Sequence, residues 1–511
     1  MISKVLYVLL SDTDTVVSVR DHGDQSVAVS GKTIYEVLEA LGQQFEDFWI
    51  YFSNEMDAHS IPFDDFKKYL RHHNTLLTAG PRCESYMTSD IGYVEDGPFI
   101  TTGKGDIYPT WQMTDRMGVM HSSLLKKIPK STYPRTQNFV YWLQSIAIQL
   151  RPQGLCCYRM YMDALPEREG KQMSTLLLYR FVSEHYKKRW TLLLLMSHML
   201  FDGRFPLYAF AKAQLYKKKE LEVDFDTLEY EEPSTAQSSL EVDVIIPTIG
   251  REKYLHDVLK DLSAQTIVPK NIIIVEQDQD PGGITALNYL TTESWPFALK
   301  HHFIHETGAC NARNIAIAAV QSPWVLFFDD DIRCPPDLIE EIAKVVETTK
   351  AKAITLACLQ QGEVEQMKAF KQWESFGSGC SVVHKEVLDN VRFDTSLEHG
   401  YGEDVDFGIQ IRQAGYDVLY APQIQLEHLK APVGGFRQPH IFPWQDDDIQ
   451  PKPSPQIMYH RQKNYTPKQL LGYKLVLFLK AFRSAKSINP FAFYTLASAR
   501  WEASKIWAAK L

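Results

Sequence analysis

A chain of 511 residues with 45% hydrophobic and 23% charged side chains is long enough for two or three domains and apolar enough to bury their cores, which excludes disorder. Its formal net charge of -9 excludes nucleic acid as the main partner, because phosphate backbones recruit an excess of Lys and Arg. Seven cysteines, odd in number and without CxxC spacing, favour reduced thiols over disulfides or a zinc site, so a cytoplasmic setting is expected.

The opening MISKVLYVLLSD has an apolar run too short for a signal peptide and no small-residue cleavage site, so it reads as a first strand over 4–10. A helix is expected over 33–41 and a strand over 48–52. The stretch 97–111, GPFITTGKGDIYPTW, holds Lys104 and Asp106 without phosphate-loop spacing and reads as a surface loop. Helical spacing returns over 141–150, 155–162 looks extended, and 173–184 suits either state. The longest apolar block, 190–201, is 12 residues with Ser197 and His198 inside it, short of the roughly 20 that a membrane-spanning helix needs. A charged and then polar stretch at 217–239 marks a linker, with a boundary near 235. A mixed α/β N-terminal domain over 1–235 is the resulting expectation.

From 236 the pattern changes. The runs VDVIIPTIGR, NIIIVEQD, LKHHFIHE and WVLFFDDD are short, β-branched or aromatic, and separated by helical patterns, which predicts parallel βαβ units in a domain over 236–430. A further helix over 402–415 stops at Gly415, and a strand, VLYAP, follows. Beyond Leu429 the chain is rich in Pro and Gly as far as Pro455, which suggests a mobile loop. The final fifty residues are helical in pattern, so 431–511 is expected as a loop and a basic helical tail; over 461–511 ten Lys or Arg stand against one acid, Glu502.

The sharpest chemical signal is Asp329-Asp330-Asp331. The apolar run before it must end where three carboxylates begin, since unpaired charges are not carried into an apolar interior. The acids therefore belong at the carboxyl end of a strand, the edge where open α/β sheets bind ligands. On a continuing strand Asp329 and Asp331 project to one side and Asp330 to the other. Two carboxylates on one side suit a hard divalent ion whose other ligands are phosphates. A solvated acidic turn capping a helix that starts near Pro336 accounts for the same residues.

Four more segments frame these acids in a fixed order: Val244-Ile245-Ile246-Pro247-Thr248 with Arg251, then IIIVEQD at 272–278, then Gly308-Ala309-Cys310-Asn311-Ala312-Arg313-Asn314, and after the acids Tyr401-Gly402-Glu403-Asp404-Val405-Asp406-Phe407. Taken together, residues 241–430 resemble the inverting family 2 glycosyltransferases. The resemblance implies a GT-A nucleotide-sugar-binding fold, Rossmann-like with a mostly parallel sheet. It implies Pro247, Thr248 and Arg251 at a uridine pocket and either Glu276 or Asp278 on the base, although the family more often has Asp followed by Asp or Asn there. Arg313 would meet the diphosphate or the base, or pair with Asp329 or Asp330. Asp329 would bond the ribose and, with Asp331, hold Mg²⁺ or Mn²⁺; Asp331 is the preferred ligand and Asp330 stays an alternative. Asp404 is the base by position and Glu403 its orienting partner, while Glu403, Asp404 and Asp406 could equally complement the helix dipole. His428 would add a metal ligand or phosphate contact. Trp373 and Gly377-Ser378-Gly379 would seat sugar and acceptor, with Trp373 stacked on a sugar ring or part of the core.

The expected function is a metal-dependent, inverting, non-processive transfer of a sugar from a nucleoside diphosphate donor, a UDP-sugar by preference, to a glycan or lipid-linked acceptor. One displacement needs a carboxylate to take the hydroxyl proton and a metal against the departing phosphates. The stretch after Leu429 would close over the donor. Without a Gln-x-x-Arg-Trp motif or membrane helices, one sugar per encounter is expected. A nucleotidyltransferase would carry a basic Gly-rich loop after the first strand, which PTIGREKY matches poorly. A non-catalytic carbohydrate-binding or scaffold protein would need neither the acid cluster nor the Glu-Asp motif. The order of helix 33–41, strand 48–52 and MGVMHSSLLKKI is similar to the same fold, which admits a degenerate GT-A-like unit in 1–235 that serves acceptor binding or assembly. The tail, with Tyr473, Phe478, Phe482, Trp501 and Trp507, suits an anionic inner-leaflet surface or a helix packed on the catalytic domain.

Overall fold

The computed structural model describes residues 4–511 apart from Asp12, 58–61, Arg71, 101–102, Lys104, 133–137, 163–164, 166–171, 226–239, 433–439 and 486–488. The expected boundary near 235, Lys104 and part of the Pro- and Gly-rich stretch lie outside the described residues. The chain forms two compact units. Unit 1 takes in 1–232, 369–372 and 466–477; unit 2 takes in 233–368, 373–465 and 478–511. The tail expected as a third part is thus divided between them, because its helices have partners in both. Gln469 donates to the carbonyls of Glu95 and Gly97 in unit 1. Trp507 donates to Asp447 at 2.6 Å in unit 2, where Trp501 is buried. Among the described residues no helix is long and apolar enough to cross a membrane.

Unit 1 is built on strands β1 (Val5–Leu10), β2 (Val16–Asp21), β3 (Trp49–Asn54), β4 (Thr75–Gly80), β5 (Ile107–Pro109), β6 (Met117–His121) and β7 (Cys156–Tyr161), in the order β2-β1-β3-β6-β4-β7-β5. β1 is parallel to β3 and β4 to β7, while β6 runs antiparallel to both of its neighbours. Helix α1 (Ile34–Gln44) opens with a capping box of Thr33 and Glu36 and buries Ile34, Val37, Leu38 and Leu41, a spacing that puts them on one face. Helix α2 (Phe139–Leu150), FVYWLQSIAIQL, is buried almost all round and shares a core with α1, Val8 and Phe52.

Unit 2 contains β8 (Val242–Thr248), α3 (Glu252–Ser263), β9 (Asn271–Gln277), β10 (Ala298–Ile304), α4 (Ala309–Ala318), β11 (Trp324–Phe328), β12 (Ile332–Arg333), β13 (Ala353–Gln360), β14 (Cys380–His384), α5 (Glu403–Gln413) and β15 (Leu419–His428). The order β10-β9-β8-β11-β14-β13-β15-β12 has four successive parallel strands, then β14 antiparallel to β11 and β13, then β13 parallel to β15. This is the mostly parallel α/β sheet that the sequence predicts. β9 is buried at every position, as a strand covered on both faces must be. The carboxyl ends of β8, β9 and β11 come together on one edge, where such sheets bind ligands.

At the opposite edge a buried carboxylate ties β8 to the approach of β11. Asp243 accepts from Asn271 at 2.7 Å, from the backbone N–H groups of Gln321 and Ser322 at 2.7 and 3.0 Å, and from the Ser322 hydroxyl at 2.6 Å. Asp243→Ala would leave those donors unsatisfied in the interior. The expected cost is about 3 kcal/mol, read as a lowered urea midpoint at unchanged m-value.

Candidate active site

A cleft of about 550 Å³ opens at the carboxyl edge of unit 2. Pro247, Thr248, Arg251, Arg313, Asp329, Asp330, Asp331 and His428 all line it, joined by Gln277, Gln279, Gly308, Glu398, His399, Lys430, His440 and Phe442. Residues from seven separate stretches of sequence meet because β8, β9 and β11 each deliver the residues that follow them to the same edge.

The acids do not alternate as a continuing strand would have them. β11 ends at Phe328 and the chain turns at Asp330 and Asp331 before β12, so strand parity no longer applies. Asp330 accepts from the Thr248 hydroxyl at 2.7 Å and from Arg251 at 2.6 Å, and Arg251 also stands 3.2 Å from Asp331. Burial dominates at Asp330 and pushes its carboxyl up to about 6 despite Arg251 beside it. Asp331 is buried as well, which alone would raise it, but the His428 hydrogen bond, the Ala431 N–H at 2.9 Å and Arg251 outweigh burial and hold it below the usual carboxylate range. His428 rises in turn through its bond to Asp331. Asp329 faces the other way and pairs with buried Arg313 at 3.1 Å.

Behind Arg313 lies the Glu-Asp pair at the start of α5. Asp404 is partly exposed yet deeply surrounded; burial pushes its carboxyl up to about 6, with Arg313 opposing. It accepts weakly from the Ser378 N–H at 3.4 Å. Burial raises Glu403 too. Neither lines the cleft, although both share the field of Arg313 with Asp329.

Several sequence-predicted residues stand elsewhere. Glu276 and Asp278 point away from the cleft. Glu276 accepts from Thr285, the Ala286 N–H and His301, and Asp278 accepts from the Asp280 N–H. Glu276 and Gln277 close β9 on opposite faces, so with Glu276 turned away Gln277 lines the cleft, and past the end of the strand Gln279 lines it as well. Trp373 packs against the hydrophobic core and stacks on Tyr420 with ring centroids 4.8 Å apart, and it does not line the cleft. Gly379 is needed for Asp329: its carbonyl accepts the Asp329 N–H at 3.0 Å, and a Cβ there would stand 2.2 Å from the Asp329 carboxylate.

Glu398 was not legible from sequence. Its two carboxylate oxygens accept the N–H groups of Cys310 and Asn311 at 3.0 Å each, at the N-terminus of α4, from 87 and 88 positions along the chain. Gly308, at φ 155, leaves room for it; a Cβ would stand 2.3 Å from the Glu398 carboxyl carbon.

Residues 243–385 match the model of Glycosyl transferase family 2. They form a family 2 glycosyltransferase domain. A Haemophilus influenzae protein named as an uncharacterized glycosyltransferase is 26% identical over 104 residues, 20% of this chain and 34% of its own length, so the chain spans about a third of that curated relative. TarS 1-349 of S. aureus in complex with UDP-GlcNAc is 15% identical over 48% of this chain and 74% of its own, with a TM-score of 0.35. The mannosyltransferase PcManGT from Pyrobaculum calidifontis in complex with GDP-Man and Mn²⁺ is 17% identical over 54% and 74%, with a TM-score of 0.32. Overlaps this loose align no side chains, so the roles of residues in the glycosyltransferase domain rest on its own geometry.

The donor set of the domain fits a divalent ion through two of the three expected ligands. Asp331 Oδ1 and His428 Nε2 are 3.4 Å apart, close to the spacing of adjacent donors around an ion bound at about 2.1 Å. Asp329, engaged by Arg313, belongs to the other wall. Asp330 has two partners of its own. Removing one of those, Arg251→Met, would leave Asp330 and Asp331 buried without their cation. Unit 2 should lose about 3–5 kcal/mol at pH 8 in urea unfolding. The loss should shrink at pH 5, where Asp330 with its raised pKa takes up a proton, and shrink likewise in Arg251→Met with Asp330→Asn.

Proposed function

We propose that unit 2 transfers a sugar from a nucleoside diphosphate donor, a UDP-sugar by preference, with inversion and metal dependence to a glycan or lipid-linked acceptor. The observation that carries this reading is the meeting, in one carboxyl-edge cleft of a family 2 domain, of two arginines, three successive acids and the amide end of a helix, with a carboxylate of raised pKa next to them. A diphosphate asks for the planar forks of Arg251 and Arg313, which bond oxygen pairs as a lysine cannot. Gln277 and Gln279 offer amides to a nucleobase at the end of β9. Asp331 and His428 would hold Mn²⁺ or Mg²⁺, whose charge favours departure of the nucleoside diphosphate.

Asp404 serves as the base in this reading. A carboxylate near pKa 6 is ionised at neutral pH and takes a hydroxyl proton more readily than one near 4. Arg313 holds Asp404 and Asp329 in one field, so the base and the donor side of the cleft are linked through a single guanidinium. Glu403 orients the acceptor or Asp404.

A panel of UDP- and GDP-sugars with Mn²⁺, scored for donor hydrolysis and then for transfer, tests the function. Asp404→Asn should lower kcat about 1,000-fold with donor affinity retained. Full transfer by that variant would remove Asp404 from the role of base. Because the base works deprotonated, kcat/KM should rise with pH through about 6 and level off above it. Asp331→Ala should abolish Mn²⁺-dependent nucleotide binding; activity lost in Asp330→Ala but kept in Asp331→Ala would move the metal to Asp330.

A further inference from the structure

The two units share more than a fold class. In unit 1 the central strands run β1-β3-β6-β4-β7, with pairings parallel, antiparallel, antiparallel and parallel; in unit 2 β8-β11-β14-β13-β15 run in the same order with the same pairings. In both sets the fourth strand of the chain lies between the second and third. Side chains repeat with the strands. Trp49 opens β3 opposite His121, and Trp324 opens β11 opposite His384. The rings meet edge-on at 5.0 and 4.9 Å. Each histidine then accepts an N–H two residues on, from Ser123 and from Glu386. Ahead of β7 stands Ile148-Gln149-Leu150-Arg151 and then Gly154; ahead of β15 stands Ile409-Gln410-Ile411-Arg412 and then Gly415, both glycines at positive φ. The Asn54 N–H donates to the Arg116 carbonyl at 2.9 Å just as the Asp329 N–H donates to that of Gly379.

This register pairs the reacting positions around β11 and α5 of unit 2 with residues of unit 1, and Asp330 and Asp331 become Glu55 and Met56. Asp329 becomes Asn54. Arg313, eleven residues before Trp324, becomes Leu38, eleven before Trp49. Glu403 and Asp404, counted back from Gly415, become Trp142 and Leu143. Gly379, which leaves space for an acid, becomes Arg116. The Arg116 guanidinium holds Asp57 at 2.6 and 2.8 Å and Glu84 at 2.7 Å, and both Arg116 and Asp57 are 1% exposed. Next to β1 stands antiparallel β2, where β8 has parallel β9. Among the described residues unit 1 thus has no counterpart of the edge that carries Gln277.

We propose that unit 1 is a second copy of the transferase sheet whose donor site is sealed by Arg116, a built-in cation against Asp57 and Glu84, so that the chain has one working donor site. The count of one rests on unit 2 binding donor as proposed above; the sealing does not. Equilibrium dialysis of UDP and of GDP with Mn²⁺ against the full chain should give one nucleotide per chain, none after Asp331→Ala, and still one, with Kd within about two-fold, after Arg116→Met or the milder Asp57→Asn. Two nucleotides per chain, or loss of binding in an Arg116→Met protein of unchanged circular dichroism, would overturn the proposal. No nucleotide bound at all would sink the function of unit 2 and leave the sealing to a second measurement. In Arg116→Gly, which copies Gly379, Asp57 and Glu84 lose that cation, and Mn²⁺ titration followed by electron paramagnetic resonance should find one more ion per chain than in the wild type. A folded Arg116→Gly protein with an unchanged Mn²⁺ count would refute the seal.

Discussion

The cleft of unit 2 depends on one buried carboxylate. Asp330 stands just past the end of β11 and is bonded by Thr248 from the end of β8 and by Arg251 from the start of α3. A carboxylate in that setting is costly unless its partners are held in place, and the partners here are the two elements that form the cleft wall. Arg251 then extends the tie to Asp331, which is fixed by His428 from the end of β15 and by the Ala431 N–H beyond it. Strand ends that are far apart in sequence are thereby locked around one charge cluster. The polar lining of the cleft is the same network that fixes its shape.

Much of this was legible in sequence, for a physical reason that also sets the limit. The stop of VLFF at Asp329 had to mark a strand end, because burial of apolar residues and exclusion of charge act locally along the chain. The parallel units around it followed from the alternation of short apolar runs with helical patterns. The expected residues that stand away from the cleft do so where three-dimensional context decides. Glu276 stands out chemically, yet the side of β9 on which it lies is set by the register with β8 and β10; Asp278 follows the strand's end, and the cleft received Gln277 and Gln279. The turn at Asp330 and Asp331 cancelled a parity rule valid only for a strand that continues. Trp373 offered an aromatic face, which the core claimed through Tyr420.

Unit 1 shows the reverse limit. A site motif announces itself through its charged residues, and most of those are absent at the matching positions: Leu38, Asn54, Met56, Trp142 and Leu143 are silent as chemistry, and Glu55 alone keeps an acid. What persisted were packing features such as Trp49 against His121 and the Gly154 turn, which constrain a fold without naming it. The contrast is plainest at one glycine. At 379 the absent side chain is the space that an acid occupies, and at 116 the same backbone position carries a guanidinium that consumes its acids.

Glu398 has a consequence for how the cleft meets small ions. The amide end of α4 is the kind of place where chloride, sulfate or free phosphate would collect, yet its N–H groups at Cys310 and Asn311 already hold a carboxylate that belongs to the chain. A tethered group acts at an effective concentration far above that of a dilute solute, so a small anion arriving alone competes badly for those amides. An anion that also reached Arg251 and Arg313, which line the same cleft, would compete on better terms. With a diphosphate as the proposed ligand, the occupied helix end would favour an anion with several attachment points over a small ion of similar charge.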